Sequence, residues 1–260
     1  MQFHSVYLQR RQFGVSYRDF QRLWRSHGDF AASVPEFWPH VQCYVHNDPL
    51  EDAIGLPAGT KDYDAVGELY YTDYTTWLAL RDVMVELVAP DEQRVFNGPS
   101  TAVRGDQTVF VAPIGLYKLF TFARLARGFA PGDRLTEVLA RHAKRTLETP
   151  EFGARLSGYT VTCSRRHDPA TGMDQRPQTR SNMDIVFIHH FADEPTARSA
   201  VGSASYVRIM AAEQEFLDMD SHIGVLTHAW NLKGDPAHGM GLPSAGMTNG
   251  QIDRNDWGIQ

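Results

Sequence analysis

Two segments of this chain set a histidine and a tyrosine at one fixed separation. HGDFAASVPEFWPHVQCY runs from His27 to Tyr44, and HAKRTLETPEFGARLSGY runs from His142 to Tyr159. In both, Pro-Glu-Phe follows the histidine after the same interval. An imidazole titrates near neutrality, so it can take a proton and return it. A phenol stays protonated there and can donate a hydrogen bond to a developing oxyanion. Asp64 and its counterpart Asp184 open a further repeated segment and supply a carboxylate to orient an imidazole or act as a base. The candidate catalytic set is therefore His27, Tyr44 and Asp64. Trp24, His46 and Glu68 are candidate substrate-binding residues beside it, with His142, Tyr159, Asp184 and His222 in the second copy. Each has a structural alternative. His27 can be a core imidazole bonded to a carbonyl or to Tyr44, Tyr44 a filling aromatic, and Asp64 a strand-end hydrogen-bond acceptor.

Both copies must carry these residues on matching elements. In the first, FHSVYLQR alternates as a strand does. Ser16 with Asp19 three residues on is a capping-box variant. Phe20, Leu23, Trp24, His27 and Ala31 then fall on one helical face, which turns His27 toward a sheet. Pro35 ends that helix. VQCYVHN and DAVGELYY read as the next strands, and Asp73 caps a helix with Trp77, Leu80, Met84 and Leu87 on one face. TAVRGDQTVFV closes the copy. The second copy repeats the order with IGLYKLFTFAR, a helix after Pro131, SGYTVTC, DIVFIHHF, a helix after Asp193, and HIGVLTHAW. Strand alternation puts His46 on the side of Tyr44 and Cys43 on the other. It lets only one of His189 and His190 face a given cavity, and gives His222 and His228 the same parity.

A βαββαβ order, met twice, predicts an α+β chain of two antiparallel sheets, each with its helices on one face. The bare sheet faces then cover each other, so an internal duplication replaces a dimer. The expected division is 1–110 and 111–232 for the two units, with 233–260 an irregular Gly/Pro-rich tail. A polar insertion near residues 165–182 distinguishes the second copy.

Composition removes several classes. A net charge of -6 argues against nucleic-acid binding, which needs a basic face. No apolar run approaches the roughly 20 residues that span a bilayer, and the N-terminus lacks a signal-peptide core. The two cysteines, Cys43 and Cys163, form no CxxC and fit a reducing compartment. We therefore expect a cytoplasmic protein. No HExxH, GxGxxG before a helix, GxxxxGK[ST] or GxSxG occurs, so no metal and no cofactor is expected.

The helix FQRLWRSHGDFA, followed by VPEFWPHVQCYVHN and YDAVGELYY, resembles the EthD-like branch of the dimeric α/β-barrel superfamily. The helical Trp-x-x-His, the Tyr-x-x-Asn on the next strand and the Tyr-Asp that opens the third carry the likeness. The second copy departs from it with Leu139, Thr162 and Met183. The resemblance implies tandem ferredoxin-like units closing one intramolecular barrel. It also implies a reaction among those of its relatives, which include dehydratases, isomerases and monooxygenases that work without cofactors or on haem. The leading expectation is a cofactor-independent lyase (dehydratase) or isomerase. It would act by general acid–base transfer on a small, apolar, oxygenated substrate, aromatic or polyketide-like in character. The alternatives are a cofactor-free or haem-assisted monooxygenase and a non-catalytic small-molecule-binding accessory protein. A small-molecule substrate is the expected partner, and a homodimer of the barrel is compatible with the sequence. The two sites are expected to be unequal, with the first the better furnished.

Overall fold

The computed structural model describes residues 2–50, 62–98, 100–129, 133–165 and 183–234. The proposed tail beyond 234 and most of the polar insertion lie outside the described residues. Strand β1 (Phe3–Gln9) leads to helix α1 (Tyr17–Ala32), then to β2 (Val41–Pro49) and β3 (Ala65–Tyr71). Helix α2 (Tyr74–Val83) runs through a π turn (Met84–Val88) into α3 (Ala89–Val95), and β4 (Thr101–Val111) follows. The second round is β5 (Tyr117–Leu125), α4 (Asp133–Glu148), a short α5 (Pro150–Gly153), β6 (Gly158–Ser164) and β7 (Ile185–Phe191). Helices α6 (Glu194–Val201) and α7 (Ala204–Glu213) and strand β8 (Leu217–Lys233) complete it.

The strands close into one barrel in the order β1-β3-β2-β8-β5-β7-β6-β4, every pair antiparallel. The two seams between the units are β2 with β8 and β4 with β6. This is the tandem ferredoxin-like barrel that the repeat predicts.

Local chemistry starts and stops the helices as expected. The Ser16 hydroxyl accepts from the Asp19 amide at 3.1 Å and donates to its carboxylate at 2.6 Å. Asp73 and Asp193 cap α2 and α6 through the amides of Thr76 and Thr196 at 2.7 and 2.8 Å. Such caps are each worth about 1 kcal/mol. One expectation fails. Leu87, placed with Trp77 and Leu80 on an apolar face, is 42% exposed. The π turn at Met84–Val88 adds a residue to the helical turn and swings Leu87 out of the stripe.

Strand alternation divides the interior in two. Val6, Leu8, Val66, Val103, Phe120, Phe122, Val186, Ile188 and Val225 fill the lumen between the sheets. Phe3, Tyr7, Tyr44, Leu69, Tyr71 and Trp77 pack on the other face, beneath the helices of the first unit. The repeated His and Tyr lie in this cleft between sheet and helices, and in the second unit they are hydrogen-bonded to each other.

Candidate active site

Helix α1 directs His27 into the first cleft, where the residue is 2% exposed. Its Nδ1 lies 2.8 Å from Asp91 Oδ2 on α3, and its ring edge meets Phe96 at 5.9 Å. Among the described residues its Nε2 makes no hydrogen bond. Arg94 donates to both Asp91 oxygens, at 3.0 and 3.3 Å. Burial pushes Asp91 up, but the hydrogen bonds from Arg94 and His27 outweigh it and hold the carboxyl below its usual value. An ionised Asp91 fixes the proton on Nδ1 and leaves the Nε2 lone pair available.

Tyr44 shares the cleft with Tyr7, and their hydroxyls are 3.1 Å apart. Burial raises both phenols far above neutrality, so both stay protonated. In such a pair one hydroxyl donates to the other, and the second proton remains free to be given to a third oxygen. Tyr7 reaches this position only because residue 67 is glycine, where an added Cβ would lie 2.0 Å from the Tyr7 ring. Glu92 sits one residue beyond Asp91, half-buried, with its carboxyl acting electrostatically on Tyr7, Tyr44 and Tyr71. Burial raises its pKa, while His27 and Arg104 oppose the shift.

His46 does face the Tyr44 side. It stacks on Trp24 at 3.9 Å with 10° between planes and presents its ring to the edge of Tyr44 at 4.7 Å. Arg25 donates to His46 Nδ1 at 3.0 Å and ion-pairs with Asp48. Burial, then the charge of Arg25, drives the His46 pKa well down, so the ring is neutral with its proton on Nε2. That Nε2 is buried without a partner and lies beside Gly28, the residue after His27.

Three candidates stand elsewhere. Asp64 sits ahead of β3, where its Oδ2 accepts from the Arg11 amide at 2.9 Å and its Oδ1 lies 3.6 Å from Arg11 Nε. Asp184 takes the Leu125 amide at 2.9 Å in the same manner. Both pin strand ends, so the structure does not bring Asp64 to His27 and the orienting carboxylate is Asp91. Replacing Asp64 by Ala should therefore cost about 1–2 kcal/mol of stability and leave turnover unchanged, a split that urea unfolding and kinetics would resolve. Glu68 lies on the opposite face of β3 and points into the lumen, so it cannot line the cleft that holds Tyr44.

The second unit assembles the same pair differently. His142 Nδ1 accepts from the Tyr159 hydroxyl at 2.9 Å, and its Nε2 donates to Glu213 Oε1 on α7 at 2.9 Å. His222 Nε2 lies 3.3 Å from the other Glu213 oxygen. His189 stacks on Tyr159 at 4.7 Å with both ring nitrogens unpartnered, while His190 turns to the lumen. The ring contact of His142 with Phe216, 5.9 Å at 72°, repeats that of His27 with Phe96, 5.9 Å at 75°. What differs is the nitrogens. His142 uses both, whereas His27 keeps one open.

Tyr7, Asp91, Glu92 and Glu213 were not singled out in the sequence. Asp91 and Glu92 fall in the first turn of α3, where acidic residues at a helix start look like dipole compensation alone. Among the described residues no group of three or more His, Cys, Asp and Glu side chains is arranged to hold a metal ion. No described helix is long and apolar enough to cross a membrane.

Ring, cleft and tandem repeat together define a dimeric α/β barrel folded from one chain. Residues 12–100 match the model of the EthD domain. Solved structures share the fold at low identity. An anthrone oxidase-like protein superposes with a TM-score of 0.59 at 6% identity, over 89% of this chain and 92% of its own. A candidate monooxygenase from Fusobacterium nucleatum subsp. nucleatum gives 0.52 at 8% identity, over 88% and 92%. A candidate chlorite dismutase gives 0.50 at 14% identity, over 91% and 98%. No curated protein matches the sequence.

Proposed function

We propose that this chain is an enzyme that moves protons on a small, largely apolar, oxygenated substrate in the first cleft, as a lyase (dehydratase) or isomerase. The observation that carries this reading is the Asp91–His27 dyad with its unengaged Nε2, on the sheet face that also holds the paired hydroxyls of Tyr7 and Tyr44. Asp91 orients the imidazole, and Nε2 removes a proton from carbon beside a carbonyl. The tyrosine pair donates to the oxygen on which charge develops. The imidazolium then returns its proton to a neighbouring carbon (isomerisation) or to a departing hydroxyl, which leaves as water (elimination). The rings of Phe96 beside His27 and of Trp24 on His46 favour a flat, apolar substrate.

Deuterium uptake tests this directly. Cyclic and aryl ketones and β-hydroxyketones are incubated with the protein in anaerobic D₂O, and exchange at the carbon beside the carbonyl is followed by NMR. Exchange without oxygen is expected. Tyr44→Phe should slow it by about 10²-fold while shifting Tm by only a few degrees. A panel in which no ketone exchanges faster than in buffer would sink the reading.

Oxygenation is the second reading, and the same dyad supports it. A carbanion made by His27 on an anthrone-like or phenolic substrate is also the species that reacts with oxygen in cofactor-free chemistry. Two fold relatives bear oxidase and monooxygenase descriptions. His27, anchored by Asp91 with its Nε2 open, would be the residue to hold a haem iron, and haem when bound would supply oxygen activation. Oxygen uptake that tracks substrate loss, or a Soret band on haem addition that His27→Ala abolishes, would favour this second reading.

A further inference from the structure

The barrel lumen holds a polar cluster that the cleft chemistry does not use. Glu68 is fully buried there. Its Oε1 accepts from Asn47 at 2.9 Å and from Lys118 Nζ at 2.5 Å. Its Oε2 accepts from the Tyr70 hydroxyl at 2.9 Å and lies 3.4 Å from His4 Nε2. Lys118 belongs to β5, so the ion pair crosses the lumen from one unit to the other, with both side chains at most 2% exposed. A second link crosses as well, from His4 Nδ1 to the Thr162 hydroxyl at 2.8 Å.

The registers identify equivalent positions. His4 sits opposite Tyr70 and Val6 opposite Glu68 in the first sheet. Lys118 sits opposite His190 and Phe120 opposite Ile188 in the second. Lys118 therefore holds the place of His4, and Ile188 the place of Glu68. The first unit brings the carboxylate and the second brings the ammonium. A barrel built from two first units would bury two Glu68 carboxylates without a lysine. One built from two second units would bury two Lys118 ammoniums facing isoleucine. The first sets only imidazoles where the ammonium stood against each carboxylate, and the second leaves two buried ammoniums with no carboxylate; both are unfavourable.

We infer that Glu68 and Lys118 form a pairing code, so that the lumen face of the first unit accepts a second unit and rejects another copy of itself. Buried polar groups are known to act this way, setting register and partner rather than adding stability. The inference rests on the barrel alone and is independent of the proposed reaction.

Refolding of the full chain from urea over a range of protein concentrations, followed by chromatography with light scattering, tests it. Glu68→Lys alone should lower Tm by about 10 °C or more, because two ammoniums then share the lumen. The reversed pair, Glu68→Lys with Lys118→Glu, should recover most of that loss and refold with the wild-type mass distribution. Glu68→Leu with Lys118→Leu should keep a Tm near wild type, yet give a larger share of double-mass and higher species as concentration rises, since like units can now pair. The code is overturned if the leucine pair refolds with the wild-type distribution at every concentration. Should the leucine pair fail to fold, the reversed pair decides alone. Recovery of the wild-type species supports the code, and its absence overturns it.

Discussion

His27→Ala is expected to lower kcat on an accepted substrate by about 10²- to 10⁴-fold, the usual worth of a positioned acid–base group. The fold should tolerate the change. Asp91 keeps both contacts to Arg94, so removal of the imidazole leaves no unpaired carboxylate. The remaining cost is one hydrogen bond and a small void against Phe96, a matter of a few degrees in Tm. Asp91→Asn is the sharper variant. It retains shape and a hydrogen bond to the ring but removes the charge that fixes the tautomer, so kcat should fall while KM changes little. His142→Ala offers the contrast. His142 is bonded on both sides, to Tyr159 and Glu213, so its loss leaves the buried Glu213 carboxylate with only His222 at 3.3 Å and should cost stability first. If His142→Ala removed turnover in a stable protein while His27→Ala left it intact, the working site would be the second one.

The largest effect on stability is expected from acid. His4, His46, His189 and His190 are all buried, and burial lowers the pKa of each, to about 3 for His190. In the unfolded chain the same groups take a proton near pH 6.5. Below that pH the unfolded state therefore binds more protons than the folded one, and stability falls as pH falls. Above about pH 6.5 this contribution is fully present. Below it, each histidine costs about 1.4 kcal/mol per pH unit until its folded pKa is reached. Glu68 adds to the loss at lower pH. Burial alone would raise it, but Lys118 and His4 hold it well below the ordinary 4.5, so its contribution also fades in acid. Several such terms set against a typical total of 5–15 kcal/mol predict a steep drop in Tm between pH 6.5 and 5. His189→Phe should flatten that slope by about one proton's worth. An unchanged Tm from pH 7 to pH 5 would show that these rings are protonated in the fold after all.

Much of the fold could be read from periodicity and from the repeat. The caps at Ser16, Asp73 and Asp193 and the parity of Tyr44 and His46 are local properties, fixed within a few residues of chain. The site was legible only in part, because its partners are distant. Asp91 reaches His27 from a third helix set by the π turn, a break that no spacing rule announces. The face that Glu68 takes depends on the register of β3 against β2, which spacing alone does not specify. That register pairs Tyr44 with Leu69, which sends Glu68 to the far face. Asp64 and Asp184 repeat faithfully for a reason other than chemistry, since each holds the same strand-end amide in its own unit.

Closure of the ring has a consequence for how the protein fails. Among the described residues every strand has two neighbours, so the barrel offers no bare backbone edge on which another chain could grow. That protection depends on two seams. If the β2–β8 seam parts, nine residues of β2 and the longer β8 become open templates at once, and the β4–β6 seam would do the same. Conditions that loosen the lumen without unfolding the units, mild acid above all, are where sticky assemblies should nucleate. Aggregation should then set in before the helices melt.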